Sequence, residues 1–203
     1  DLSAWAEQAE EEGDWLVLHK GGRRIRVACR TGDLAAQPEL VRAASPHLVT
    51  ASAFFDLASA AWIARFADEV AQAGAAFYTV LTCDGADEWA PPHPRDAAIA
   101  TAFQAHQGRD KGFGPAAGNG ATVALEAAFR RAGYAVEQAP SPWRLSPGDP
   151  LLPALAEGTA QAAVETGAIS PDEARQWVAA RAQAGCVIGH LDLLSVPPGV
   201  TIP

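Results

Sequence analysis

The run AAFYTVLT (Ala75–Thr82) is apolar except for one tyrosine and two threonines. A stretch this short, rich in aromatic and β-branched residues, reads as a strand covered on both faces, the pattern of a parallel sheet. It is preceded by Ser59–Ala73, where Trp62, Ile63, Phe66 and Val70 recur at helical spacing and Gly74 supplies the stop. HLVTASA (His47–Ala53) ahead of that helix is a second buried-strand pattern. Strand, helix and strand in this order predict a right-handed crossover between parallel neighbours. The alternation continues with helices over Pro94–His106 and Ala121–Ala132, the latter with Leu125, Ala128 and Phe129 inward, and a strand over Tyr134–Ala139. Helices over Pro150–Thr166 and Pro171–Ala184 and a last strand over Cys186–Val196 complete an α/β fold with a mainly parallel sheet. Ser170, Pro171 and Glu173 give the second of those helices a capping-box start.

Upstream, Asp1–Glu12 reads as a helix with Leu2, Trp5, Ala6 and Ala9 on one face. Trp15–His19 and Arg24–Cys29 read as a hairpin turning at Gly21-Gly22. TGDLA (Thr31–Ala35) is a loop, followed by a short helix near Pro38–Ala44.

Composition excludes several functions. With 203 residues, 49% apolar and 19% charged, the chain is globular and is expected to form a single domain over residues 1–203. A formal net charge of −9 argues against a nucleic-acid partner. Cys29, Cys83 and Cys186 are odd in number and widely spaced, which fits a reducing, cytoplasmic compartment. No apolar run approaches the roughly 18 residues that span a bilayer, so no membrane partner is expected. No metal-ligand cluster is visible, and no metal is expected.

HQGRDKGFGPAAGNG (His106–Gly120) holds five glycines. A phosphate-binding loop needs G-x-x-x-x-G-K-[ST] after a strand; here Lys111 precedes Gly112 and a helix comes first. The G-x-G-x-x-G dinucleotide pattern is absent too. The segment is either a surface loop or a substrate-side lid, whose glycines permit closure while His106, Asp110, Lys111 and Phe113 face a ligand.

Four segments carry a resemblance. HLVTASAFFDLASAAWIARFA (His47–Ala67), FYTVLTCDG (Phe77–Gly85), AFQAHQGRDKGFGPAAG (Ala102–Gly118) and SPWRL (Ser141–Leu145) resemble a bacterial group of class I S-adenosylmethionine-dependent methyltransferases. The resemblance runs from about Arg24 to the end. It implies a Rossmann-like sheet with helices on both faces, S-adenosyl-L-methionine as cofactor and methyl transfer to a small-molecule substrate. It makes the first segment the fourth strand and its turn, the second the fifth strand, and the third the substrate-side loop. The family's glycine-rich cofactor turn and ribose-holding acidic residue have no counterpart here. An N-terminally truncated sheet that binds cofactor weakly by itself is therefore expected.

On the same resemblance, Asp33 and Leu34 face the adenine, and Thr50, Ala51 and Ser52 line the methyl donor. Asp56, Asp84, Asp110, Lys111 and Phe113 face the substrate. Each has a plainer reading: a turn aspartate at Asp33 and Asp84, a helix cap at Asp56, core packing at Thr50–Ala53, solvated surface at Lys111. Trp143 either walls a pocket or fills the core. His106 is the general-base candidate, since imidazole titrates near neutrality. Methyl transfer by in-line displacement leans on placement and makes a base optional.

Two rivals remain. Ser52, Asp84 and His106 or His190 follow the order of an α/β-hydrolase triad, but Thr50-Ala51-Ser52-Ala53-Phe54 lacks the glycines of a nucleophile elbow. A catalytically inactive methyltransferase-like binding module also fits a chain without the glycine turn.

Overall fold

The computed structural model describes residues 1–200 and divides into two compact units, Asp1–Gln37 and the chain from Pro38 onward. In the first, α1 (Leu2–Trp5) is one turn, capped by Asp1, whose carboxylate accepts from Ser3 N at 2.9 Å. β1 (Gln8–Glu12), β2 (Trp15–Lys20) and β3 (Arg23–Val27) follow as an antiparallel meander. The helix expected over Asp1–Glu12 thus ends at Trp5. A helix would set Glu7 beside Glu10 and Glu11, a repulsion that the strand relieves. In the strand, Glu12 accepts from Arg24 at 2.7 Å and Glu10 lies 3.4 Å from His19. The hairpin at Gly21-Gly22 forms as expected, with φ of 55° and 72°, values that glycine adopts without penalty.

In the second unit, α2 (Leu40–Ala43), β4 (Leu48–Ser52), α3 (Ala60–Ala73) and β5 (Ala76–Cys83) come first. β6 (Glu88–Ala90), α4 (Asp96–Gln107), α5 (Ala121–Arg131), β7 (Ala135–Pro140) and β8 (Trp143–Leu145) follow. α6 (Leu152–Glu165), α7 (Pro171–Arg181), β9 (Gly185–Ile188) and β10 (His190–Val196) close the chain. Among the described residues these strands form two sheets, ordered β4-β5-β10-β7 and β6-β9-β8.

The class is α/β, and the larger sheet is mixed rather than mainly parallel. β4 and β5 run parallel, Thr50 opposite Tyr78, while β10 runs antiparallel to both β5 and β7. Hydrophobic pattern carries no strand direction. β10 starts opposite Cys83, at the carboxyl end of β5, because β9 delivers the chain to that end. The single strand expected over Cys186–Val196 is accordingly two strands in two sheets, broken at Gly189.

α3 and α5 cover the same face of the larger sheet. Phe66 of α3 and Phe129 of α5 both pack on the Phe77 ring, with centroids at 5.4 and 4.9 Å. Ser59 caps α3 by accepting from Trp62 N at 3.1 Å, and Gly74 ends it at φ 66°. On the opposite face Leu48 and Tyr78 are 54% and 39% exposed, so β4 and β5 are covered on one face among the described residues, not two. A helical layer of α4, α6 and α7 packs around Ile99, Ala102, Ala156, Ala160 and Trp177. The capping box that begins α7 is present. Hydrogen bonds from Ser170 and from the Arg95 guanidinium hold the Glu173 carboxyl down at about 2.

Candidate functional site

The carboxyl ends of β4 and β5 gather the polar groups. Ala53, the residue after β4, has φ 51°, with its N–H bonded to Val80 O at 3.1 Å. A left-handed alanine costs about 1–2 kcal/mol, a strain that concentrates at functional sites. It bends the chain into a single 3-10 turn, Phe55–Leu57, pinned by the fully buried Phe55 ring. That turn carries Asp56 inward. Its Oδ1 is buried and has no hydrogen-bond partner among the described residues. Burial raises the Asp56 carboxyl above the usual carboxylate range, and attraction to His190 opposes the shift.

His190 opens β10 opposite Cys83 and is 8% exposed. Its Nδ1 has no hydrogen-bond partner among the described residues, and its ring lies 5.0 Å from the Trp143 ring. The Cys83 thiol is pushed up by burial and hydrogen-bonded to the Gln107 side chain. Asp87 is also raised, by burial first; it accepts from Gly189 N at 3.3 Å and feels the charge of Asp84. One end of the sheet therefore holds two half-buried carboxylates, a thiol and a buried imidazole, a grouping that suits proton transfer or binding of a cationic ligand.

The Asp56 shift makes a prediction. A carboxyl with a raised folded-state pKa favours the native state fully below its unfolded value, and that advantage is lost as pH rises through the folded value. Replacing Asp56 with asparagine should therefore leave the variant gaining on the wild type as pH climbs from 4 to 7. Urea unfolding at the two pH values checks this, and an unchanged difference would contradict the assignment.

The structure brings some of the sequence-derived residues together. Thr50, Ala51 and Ser52 end β4 immediately before Asp56, with Thr50 and Ser52 exposed and Ala51 partly buried. Asp84 sits just past β5, where its Oδ1 accepts from Ala86 N at 2.8 Å and its own N–H reaches Gly189 O at 3.2 Å. Phe113 joins the same end by packing on Phe54 and Trp62, with centroids at 5.2 and 5.0 Å. Two main-chain bonds dock the glycine-rich loop there, Ser59 N to Phe113 O at 3.3 Å and Ala117 N to Ala58 O at 2.8 Å. Asp110 folds that loop, its Oδ1 accepting from Gly112 N at 2.7 Å and Gly114 N at 3.0 Å. Lys111 is exposed.

The remaining residues have other partners. The His106 imidazole meets Glu165 at 2.9 Å, tying α4 to the end of α6. Its neighbour Gln107, a third of a helical turn on, is the one that reaches Cys83. Asp33 lies in the first unit as an exposed turn residue accepting from Ala36 N at 3.1 Å, with Leu34 partly buried beside it. Trp143 is 37% exposed against His190 rather than in the core. Ser52 has no hydrogen bond to an imidazole among the described residues, and the left-handed conformation after β4 falls on Ala53 rather than on Ser52.

Sequence reasoning passed over Asp87 and gave His190 only a place in the hydrolase order. The available signal was Gly189-His190 interrupting an apolar run: glycine where close approach is needed, then an imidazole facing a sheet end. Among the described residues no group of three or more His, Cys, Asp or Glu is placed to hold a metal, and no helix is long and apolar enough to cross a membrane. Comparison with protein-family models and with curated proteins found no match.

Proposed function

We propose that the chain is a class I methyltransferase domain whose strand ends serve S-adenosylmethionine-dependent methyl transfer to a small molecule. One observation carries the reading. The segments that resemble the family's fourth strand, fifth strand and substrate-side loop, distant in sequence, meet at the carboxyl end of one parallel strand pair. Open α/β sheets bind ligands at that end.

The residues suit the cofactor. Small side chains at Ala51, Ser52 and Ala53 leave room beside the strand end, and the Asp56 carboxyl, whose buried Oδ1 has no hydrogen-bond partner among the described residues, complements a sulfonium charge. Bound S-adenosylmethionine supplies an electrophilic methyl group. The protein orients the acceptor and excludes water, with the aromatic rings of Phe54 and Phe113 as an apolar wall. His190 holds an unpartnered ring nitrogen that can take up a proton at Nδ1. The adenine-side role of Asp33 and Leu34 rests on the sequence resemblance alone, and the base role of His106 on the chemistry of its imidazole alone.

Amide-resolved NMR titration with S-adenosylhomocysteine tests the proposal and registers weak binding. Shifts concentrated at Val49–Asp56 and Cys83–Gly85 are expected, and Asp56→Asn should reduce them. No shifts at millimolar ligand, or shifts confined to another surface, would overturn the reading.

A further inference from the structure

A second feature of the same unit adjoins the sheet end, sharing Asp87 and Gln107 with it, and requires no methyl transfer. Between α4, α6, α7 and the loop after β5 lies a cavity of about 140 Å³. Trp89, Phe103 and Trp177 form its aromatic walls, and Asp87 and Gln107 contribute polar groups. A cavity of about 150 Å³ is enough to hold a benzene molecule. No lysine or arginine lines it among the described residues.

The walls are fixed from behind. Trp177 Nε1 donates to Asp96 Oδ1 at 2.7 Å, and His93 N donates to Asp96 Oδ2 at 2.7 Å. Trp89 and Trp177 meet edge to face at 5.3 Å. The buried Arg181 lies beside both rings, donates to Pro91 O at 2.8 Å and stands 3.9 Å from Asp96. Asp96 is thereby satisfied. Asp87 accepts from Gly189 N at 3.3 Å, with the like charge of Asp84 and the opposite charge of His190 both nearby. Within the cavity a carboxylate and three aromatic rings come together with no lysine or arginine in the lining, and both kinds of surface attract a cation.

We propose that this cavity binds a small organic cation, an ammonium group carried on a body about the size of a benzene ring. The ammonium donates to the Asp87 carboxylate and to the Gln107 amide oxygen, while the apolar body packs against Trp89, Phe103 and Trp177. Burial raises the Asp87 carboxyl, and a bound cation reverses that shift.

The test uses the full chain with benzylamine, a cation at pH 7, and benzyl alcohol as its neutral counterpart, followed by calorimetry and amide-resolved NMR. Saturable benzylamine binding is expected, with shifts at Asp87, Gln107 and the α4 residues that line the cavity. Benzyl alcohol should bind at least tenfold more weakly, and Asp87→Asn should weaken benzylamine by a similar factor. Ala100→Leu keeps the carboxylate but fills the space, and should abolish binding. If Asp87→Asn fails to fold by circular dichroism, the alcohol comparison and Ala100→Leu decide. No saturable binding of benzylamine, equal affinity for the alcohol, or unchanged binding in Ala100→Leu would each overturn the proposal.

Discussion

Replacing Phe77 with alanine is expected to lower the unfolding free energy by about 3–5 kcal/mol, the range for removing a fully buried phenylalanine. Phe77 is completely buried in β5, between the two helices that cover the sheet. Its ring meets Phe55 and Phe66 edge-on at 5.3 and 5.4 Å and stacks on Phe129 at 4.9 Å with 14° between planes. Truncation removes three ring contacts at once and leaves a void that α3 and α5 cannot close without separating from each other. Each aromatic pair adds about 0.5–1.5 kcal/mol beyond area burial, which places the loss toward the upper end. The site is affected as well, because the Phe55 ring that pins the turn carrying Asp56 rests on Phe77. Urea unfolding with near-ultraviolet circular dichroism measures the effect. A loss below about 1 kcal/mol, the size expected for an exposed side chain such as Val123, would show that the core is not organised around Phe77.

The second large effect is expected at Gly189. A Cβ there would lie 2.0 Å from Asp84 Oδ1 and 2.9 Å from Ala86 O. The Asp84 carboxylate cannot simply rotate away, since Oδ1 holds Ala86 N at 2.8 Å. The Ala86 oxygen belongs to the main chain and moves only if the loop moves. Gly189→Ala should therefore cost about 1–3 kcal/mol, the usual range for overpacking. It should also push the Asp84–Asp87 loop off β10, breaking the bond from Gly189 N to Asp87. Denaturant unfolding reads the first consequence, and faster amide exchange at position 189 and at Ala86 reads the second. Gly158 provides the contrast: it lies in α6 with nothing within 4 Å of a built Cβ. Alanine there should stabilise by roughly 0.5–1 kcal/mol, because glycine is the poorer helix former. If both substitutions stabilise, the close packing at Gly189 is disproved.

Much of the second unit was legible in the chain because its signals are local. Ser59 and Gly74 bound α3, Ser170 and Glu173 start α7, and Leu125, Ala128 and Phe129 mark the inner face of α5. Each of these acts within one or two helical turns. The N-terminal helix failed for the opposite reason. Its apolar spacing is helical, but Glu10 and Glu12 meet His19 and Arg24, residues that only the meander brings near. The site was half legible. Thr50, Ala51, Ser52, Asp56 and Asp84 lie at the strand ends where the chain pattern put them. His106 turns toward Glu165 because a helix aims adjacent side chains about 100° apart, and Gln107 faces the sheet end.

Alone, the order of residues determined where α3, α5 and α7 begin and end, since caps, stops and periodicity are short-range properties of the backbone. The folded molecule decided which way β10 runs, that Gly189 divides it from β9, and that Asp56, Asp87 and His190 share one end of the sheet. Strand direction and the meeting of distant side chains depend on how connections close and on what space is left. Neither is encoded in the neighbourhood of any single residue.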